Sequence, residues 1–212
     1  MEIFEYGNRD SHTVLIHPVD NHDMSYIENE TETIKSLSLS DTDFKLIAVK
    51  VNNWNNDLSP WKAPAVFGNE DFGGNASEML AEILKLTEDK SKTYYIGGYS
   101  LAGLFSLWAS YQTNRFSGVA AVSPSIWFPD FIGYMMSREI QVPKVYLSLG
   151  DREEKTKNPI MSTVGKCIRE TYEHLNESGI ITTLEWNPGN HFKEPDIRTA
   201  KGFAWVIRKT SM

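Results

Sequence analysis

Cysteine is almost missing from this chain of 212 residues: Cys167 stands alone. No disulfide can form within the chain, which fits a reducing compartment. Positive charge is in the minority. Lys and Arg number 21 against 28 acidic residues, for a formal net charge of −7. The basic stripe of a nucleic-acid binder is lacking, and so is the Lys/Arg run that would draw the chain to an anionic membrane surface. No apolar run approaches the length of a bilayer span. The start, Met1-Glu2-Ile3-Phe4-Glu5-Tyr6-Gly7, has no basic segment followed by an apolar one, so no signal peptide is expected and the expected location is cytoplasmic. Repeats and low-complexity tracts are absent. No HExxH or His-rich spacing asks for a metal.

What is present is an ordinary globular balance, with 41% hydrophobic residues. One domain covering 1–212 is expected. Short β-branched runs at 13–19, 44–51, 93–98, 118–122, 144–149 and 180–186 read as strands, and their nearly continuous apolar character suits strands covered on both faces. Helical patterns fall between them, at 26–37, 76–86, 101–111, after Pro159, and at 196–208. Asn75 with Glu78 reads as a cap and capping-box pair for the second of these. Met161, Val164, Ile168, Tyr172 and Leu175 make one stripe that Gly179 ends. The alternation predicts an α/β fold, a mostly parallel sheet with helices on both faces. Residues 52–75 form a long aromatic irregular stretch, read as part of a pocket wall.

The most informative segment is Tyr94-Tyr95-Ile96-Gly97-Gly98-Tyr99-Ser100-Leu101-Ala102-Gly103-Leu104. It reads as a strand, then Gly-Tyr-Ser-Leu-Ala, then a buried helix. A nucleophilic serine on a strained strand-to-helix turn needs small residues two positions either side. Gly98 and Ala102 meet that need, although the usual second residue is Gly. The helix N-terminus favours negative charge, and the Leu101 N–H is a candidate oxyanion donor. The competing reading of Ser100 is an ordinary helix cap.

Serine hydrolases built on this turn order their residues Ser, acid, His. His191 fits the base. It follows a predicted strand and a Pro188-Gly189 turn and precedes the last helix, whereas His12, His17 and His22 come before the serine. His174 reads as a solvated helix residue. For the acid, Gly150-Asp151-Arg152-Glu153-Glu154 offers three carboxylates. Hydrolases of this kind often place the acid three residues after such a glycine, which favours Glu153, with Asp151 second. The second oxyanion donor is expected in His17-Pro18-Val19-Asp20. Pro18 has no N–H, which leaves Val19 or Asp20. Trp54, Trp61, Trp127 and Phe128 are candidate pocket walls, since ligands gather at the carboxyl ends of parallel strands. Each could equally plug a core edge.

The chain resembles the esterase family of the α/β-hydrolase superfamily that includes siderophore esterases, feruloyl esterases, S-formylglutathione hydrolase and mycolyltransferases. The matching pieces are Asn55-Asn56-Asp57-Leu58-Ser59-Pro60-Trp61, Gly97 through Phe105, Val122-Ser123-Pro124-Ser125-Ile126-Trp127, Leu149 through Glu154, and Asn190-His191. The resemblance implies an α/β-hydrolase fold and a Ser-His-acid esterase acting on a small-molecule ester without metal or organic cofactor. At this length little or no lid is expected. Acyl transfer by the same triad, and an inactive binding domain on the same fold, are the rival functions.

Overall fold

The central apolar runs become strands because neither of their faces meets water. All seven residues of 144–150 are buried, and six of the seven in 13–19. The computed structural model describes residues 1–38 and 42–208. Residues 39–41 and 209–212, part of the expected domain, lie outside the described residues. In chain order the elements are β1 (Glu2–Gly7), β2 (Thr13–Val19), α1 (Asn21–Met24), α2 (Ile27–Leu37), β3 (Lys45–Lys50), α3 (Trp54–Asp57), β4 (Lys62–Ala63), β5 (Phe72–Gly73), α4 (Ala76–Lys85), β6 (Thr93–Tyr99), α5 (Leu101–Ala109), β7 (Phe116–Val122), α6 (Phe131–Met136), β8 (Lys144–Gly150), α7 (Val164–Glu177), β9 (Ile181–Asn187) and α8 (Pro195–Val206).

Seven strands form one sheet in the order β1-β3-β2-β6-β7-β8-β9. Every pairing is parallel except β1 with β3. Strand alternation divides the core into two layers. Val119, Ala121, Val145 and Leu147 pack with α5 on one face. Ala120, Val122 and Tyr146 pack with α2 and α8 on the other. The sheet is therefore covered on both sides, as its composition requires. Among the described residues no helix is long and apolar enough to cross a membrane.

Three local expectations change. β1 was not expected, because as an edge strand it buries none of its residues fully and shows no apolar run. Its place comes from pairing with β3 and from the Lys50–Glu2 ion pair at 3.2 Å. Asn75 precedes α4 but makes no side-chain cap. Glu78 instead accepts from the Ser77 hydroxyl at 3.1 Å, and the Ala76 N–H is taken by the Ser59 carbonyl. The stretch 52–75 is only partly irregular. Trp54 opens a short helix that the Asn53 side chain caps.

α5 lies close on the sheet because its facing residues are small. All nine of its residues are buried. A Cβ added to Gly98 would come within 2.6 Å of the Ala102 Cβ, and one on Gly103 within 2.9 Å of the Gly98 carbonyl oxygen. Gly98→Ala is expected to destabilise the fold by about 1–3 kcal/mol, read as a lowered urea midpoint. An unchanged midpoint would show that the strand and helix have slack at this crossing.

Candidate active site

Parallel strands deliver their carboxyl ends to one edge of a sheet, and five segments from this edge build the site. Ser100 follows β6 with φ 57 and ψ −119, outside the regions that L-residues favour. Three backbone bonds hold it there. Its N–H donates to the Val122 carbonyl at 3.0 Å, and its own carbonyl accepts from Ser125 N–H at 3.0 Å and Leu104 N–H at 3.1 Å. The side chain is half-buried. Ser100 Oγ lies 3.0 Å from His191 Nε2, and His191 Nδ1 lies 2.7 Å from Glu153 Oε2.

Glu153 sits on a 3-10 turn just after β8 and is 8% exposed. Its Oε1 accepts from the Ser123 hydroxyl at 2.7 Å, the Gly150 N–H at 2.7 Å and the Arg198 guanidinium at 3.2 Å. Burial pushes its carboxyl up. The hydrogen bond and charge of His191, with the Ser123 and Gly150 donors, outweigh that and hold it below its ordinary value. Asp151, the other candidate acid, does not reach His191. Its Oδ1 accepts the Gly189 N–H at 2.8 Å and so secures the turn that carries the histidine. Glu154 pairs with Arg169 at 3.1 Å.

His191 is held from behind by two residues that sequence reading missed. The Tyr99 hydroxyl donates to the His191 carbonyl at 2.7 Å, and its ring lies 5.1 Å from the imidazole between centroids. Burial, then the Glu153 charge, pushes that hydroxyl up to about 12, so it stays protonated and donates. Arg198, 2% exposed on α8, donates to Tyr99 Oη at 3.1 Å and to the Pro188 carbonyl at 3.1 Å as well as to Glu153. No periodic signal marks Arg198. α8 is buried over so wide an arc that a charge within it looks like an ordinary break between apolar positions. Ser123 and Ser125 flank Pro124, where serine reads as an ordinary turn residue.

Of the two expected donors after β2, the geometry removes Val19. Its carbonyl accepts Val51 N–H at 2.8 Å. A strand residue's N–H and C=O point to the same side, so the Val19 N–H faces β3 rather than the site. Asp20, extended at φ −95, shares a cleft with Ser100, and the alternation of an extended backbone puts its N–H on the side opposite to that of Val19.

Two clefts flank His191 and the 85% exposed Phe192. One, of about 400 Å³, is walled by Trp127, Met161 and Val164, with Arg152 and Lys155 also lining it. The other, of about 230 Å³, is lined by Asp20, Trp54, Tyr99 and Ser100. Trp127 and Trp54 thus border the site. Trp61 and Phe128 do not line either cleft. Phe128 is buried against Phe72, centroids 5.0 Å apart. Trp61 covers Phe128 and Phe131 and donates to the Pro129 carbonyl at 3.1 Å. Both fill a core edge, where large apolar rings gain most from leaving water.

No family model matches the chain. It is 23% identical over 207 residues to the uncharacterized protein YbbA of Bacillus subtilis, covering 87% of this chain and 82% of that protein. Among solved structures it is similar to the siderophore hydrolase EstA of Aspergillus nidulans, with a TM-score of 0.69, 21% identity, and coverage of 92% and 81% of the two chains. It is also similar to an IroE-like serine hydrolase of Shewanella oneidensis, with a TM-score of 0.76, 14% identity, and coverage of 96% and 74%. The chain has the α/β-hydrolase fold, and these neighbours are of the kind that the sequence resemblance names.

The lowered Glu153 carboxyl links the site to pH. Because its folded-state value lies under the ordinary 4.5, its contribution to stability is present above that value and is lost as pH falls through the lower one. Urea unfolding followed from about pH 7 to about pH 3 is expected to show a steeper loss for the wild type than for Glu153→Gln. Parallel losses would mean that the carboxylate gains nothing from its partners.

Proposed function

We propose that this protein is a serine hydrolase that cleaves a carboxylic ester through an acyl-enzyme on Ser100, with His191 as base and Glu153 as acid. The observation that carries the reading is the unbroken line from Ser100 Oγ through both imidazole nitrogens to a buried carboxylate. Solved neighbours described as a siderophore hydrolase and a serine hydrolase support the hydrolase class.

Ionised Glu153 accepts a hydrogen bond from Nδ1–H, which leaves the Nε2 lone pair facing Ser100. His191 takes the hydroxyl proton as Oγ attacks the ester carbonyl. The oxyanion is received by the N–H groups of Leu101, at the start of α5, and of Asp20. The imidazolium, stabilised by Glu153, gives its proton to the departing alcohol. A water then loses a proton to His191 as it attacks the acyl carbon, the C–Oγ bond breaks to release the acid, and Oγ recovers that proton from His191. Trp127 and Trp54 wall the two sides on which the acyl and alcohol parts of a small-molecule ester would lie. Nucleophile, base, acid and oxyanion donors all come from the chain, so the reading calls for no metal or cofactor.

Turnover of p-nitrophenyl acetate tests this. Ser100→Ala is expected to lower kcat/KM by about 10⁴-fold or more. A loss of less than about tenfold would be far too small for a nucleophile. Acyl transfer would show itself as ester product when a competing alcohol is added.

A further inference from the structure

Ser125 is left idle by that mechanism, although its hydroxyl lies 3.2 Å from Ser100 Oγ. It is 3% exposed and lines neither cleft, so it approaches Ser100 from within the protein and not from the substrate side. Its backbone is fixed at both ends. The N–H donates to the Ser100 carbonyl at 3.0 Å, and the carbonyl accepts Phe128 N–H at 3.0 Å. The direction of the contact between the two hydroxyls follows from the protons available. Glu153 accepts the hydrogen bond from Nδ1–H, so Nε2 is an acceptor and receives the hydrogen bond of the single Ser100 O–H. In the remaining contact Ser100 Oγ must accept, and Ser125 must donate.

We propose that Ser125 is a second catalytic hydroxyl, which holds Ser100 Oγ toward His191 and stabilises the charge that gathers on that oxygen. This rests on Ser100 being the nucleophile. In acylation the Ser100 proton moves to Nε2, the Oγ–C bond forms, and the carbonyl pair moves onto its oxygen. The intermediate then expels the alcohol, which takes the Nε2 proton. In deacylation water attacks while its proton passes to Nε2. The C–Oγ bond breaks, its electron pair returns to Oγ, and Oγ recovers the Nε2 proton. Negative charge therefore grows on Oγ twice, next to the Ser125 O–H each time. Ser125 keeps its own proton throughout. A donor placed at a developing charge acts on the transition state more than on substrate binding.

Ser125→Ala is expected to lower kcat for p-nitrophenyl acetate by about 10- to 100-fold and to leave KM within about twofold, because the residue touches neither cleft. Thermal unfolding confirms that the variant is folded. A folded Ser125→Ala with wild-type kcat overturns the proposal, as does a loss that appears wholly in KM. If the alanine variant does not fold, Ser125→Cys decides. It keeps the backbone bonds and replaces the hydroxyl by a larger, weak donor, so a lowered kcat at unchanged KM supports the proposal and a wild-type kcat overturns it. Activity that survives Ser100→Ala overturns both this proposal and the reading of Ser100. Full activity in Ser125→Ala alone overturns only this one.

Discussion

A carboxylate taken out of water must find donors for both oxygens, and Glu153 finds four. Leaving such a charge uncompensated would cost on the order of 3–5 kcal/mol, so the groups that satisfy it are bound to one another through it. Ser123 comes from the end of β7, Gly150 from the end of β8, Arg198 from α8, and His191 from the loop between β9 and α8. Three of the four crowd onto Oε1. Oε2 is left to the imidazole alone, which gives His191 one orientation. Arg198 repeats the tie through Tyr99 and Pro188, and Asp151 through Gly189. The histidine sits on a loop outside helix and strand, yet its backbone is tethered on both sides.

The turn at Ser100 is the second constraint, and it depends on the sheet more than on the site. Backbone at positive φ costs on the order of 1–3 kcal/mol for a residue with a side chain. Ser100 (φ 57) and Ser123 (φ 41) both carry that cost at neighbouring strand ends. They share the backbone bonds that offset it: Ser100 donates to Val122, just before Ser123, and accepts from Ser125, just after Pro124. The close approach of α5 over Gly98 completes the turn. It aims the first N–H groups of the helix at the space in front of Ser100, where an incoming anion would be met by donors without partners in the helix.

Most of the architecture was legible from residue patterns. Five of the six runs announced themselves because burial on both faces leaves few polar residues in them, the half-exposed edge strand β9 by its β-branched Ile181, Thr182 and Thr183, and the helices by their apolar stripes. β1 did not, because an edge strand is specified by its neighbour's unpaired backbone and needs no apolar run. At the site, Ser100, His191 and Glu153 could be picked out because chain order and spacing from Gly98, Gly189 and Gly150 are local signals. Ser123, Ser125, Tyr99 and Arg198 act through contacts made between residues far apart in sequence, as in the 99-residue separation of Arg198 from Tyr99. The aromatic residues divided for a similar reason. A loop tryptophan carries no mark that tells a cleft wall such as Trp127 from a core plug such as Trp61.

The proposed mechanism requires an activated hydroxyl on Ser100. Reaction with a fluorophosphonate probe, followed by peptide mass mapping, tests it most directly. One adduct per chain is expected at Ser100, strongly reduced in His191→Ala. Folded protein that takes up no probe, or takes it up at another residue, would contradict it.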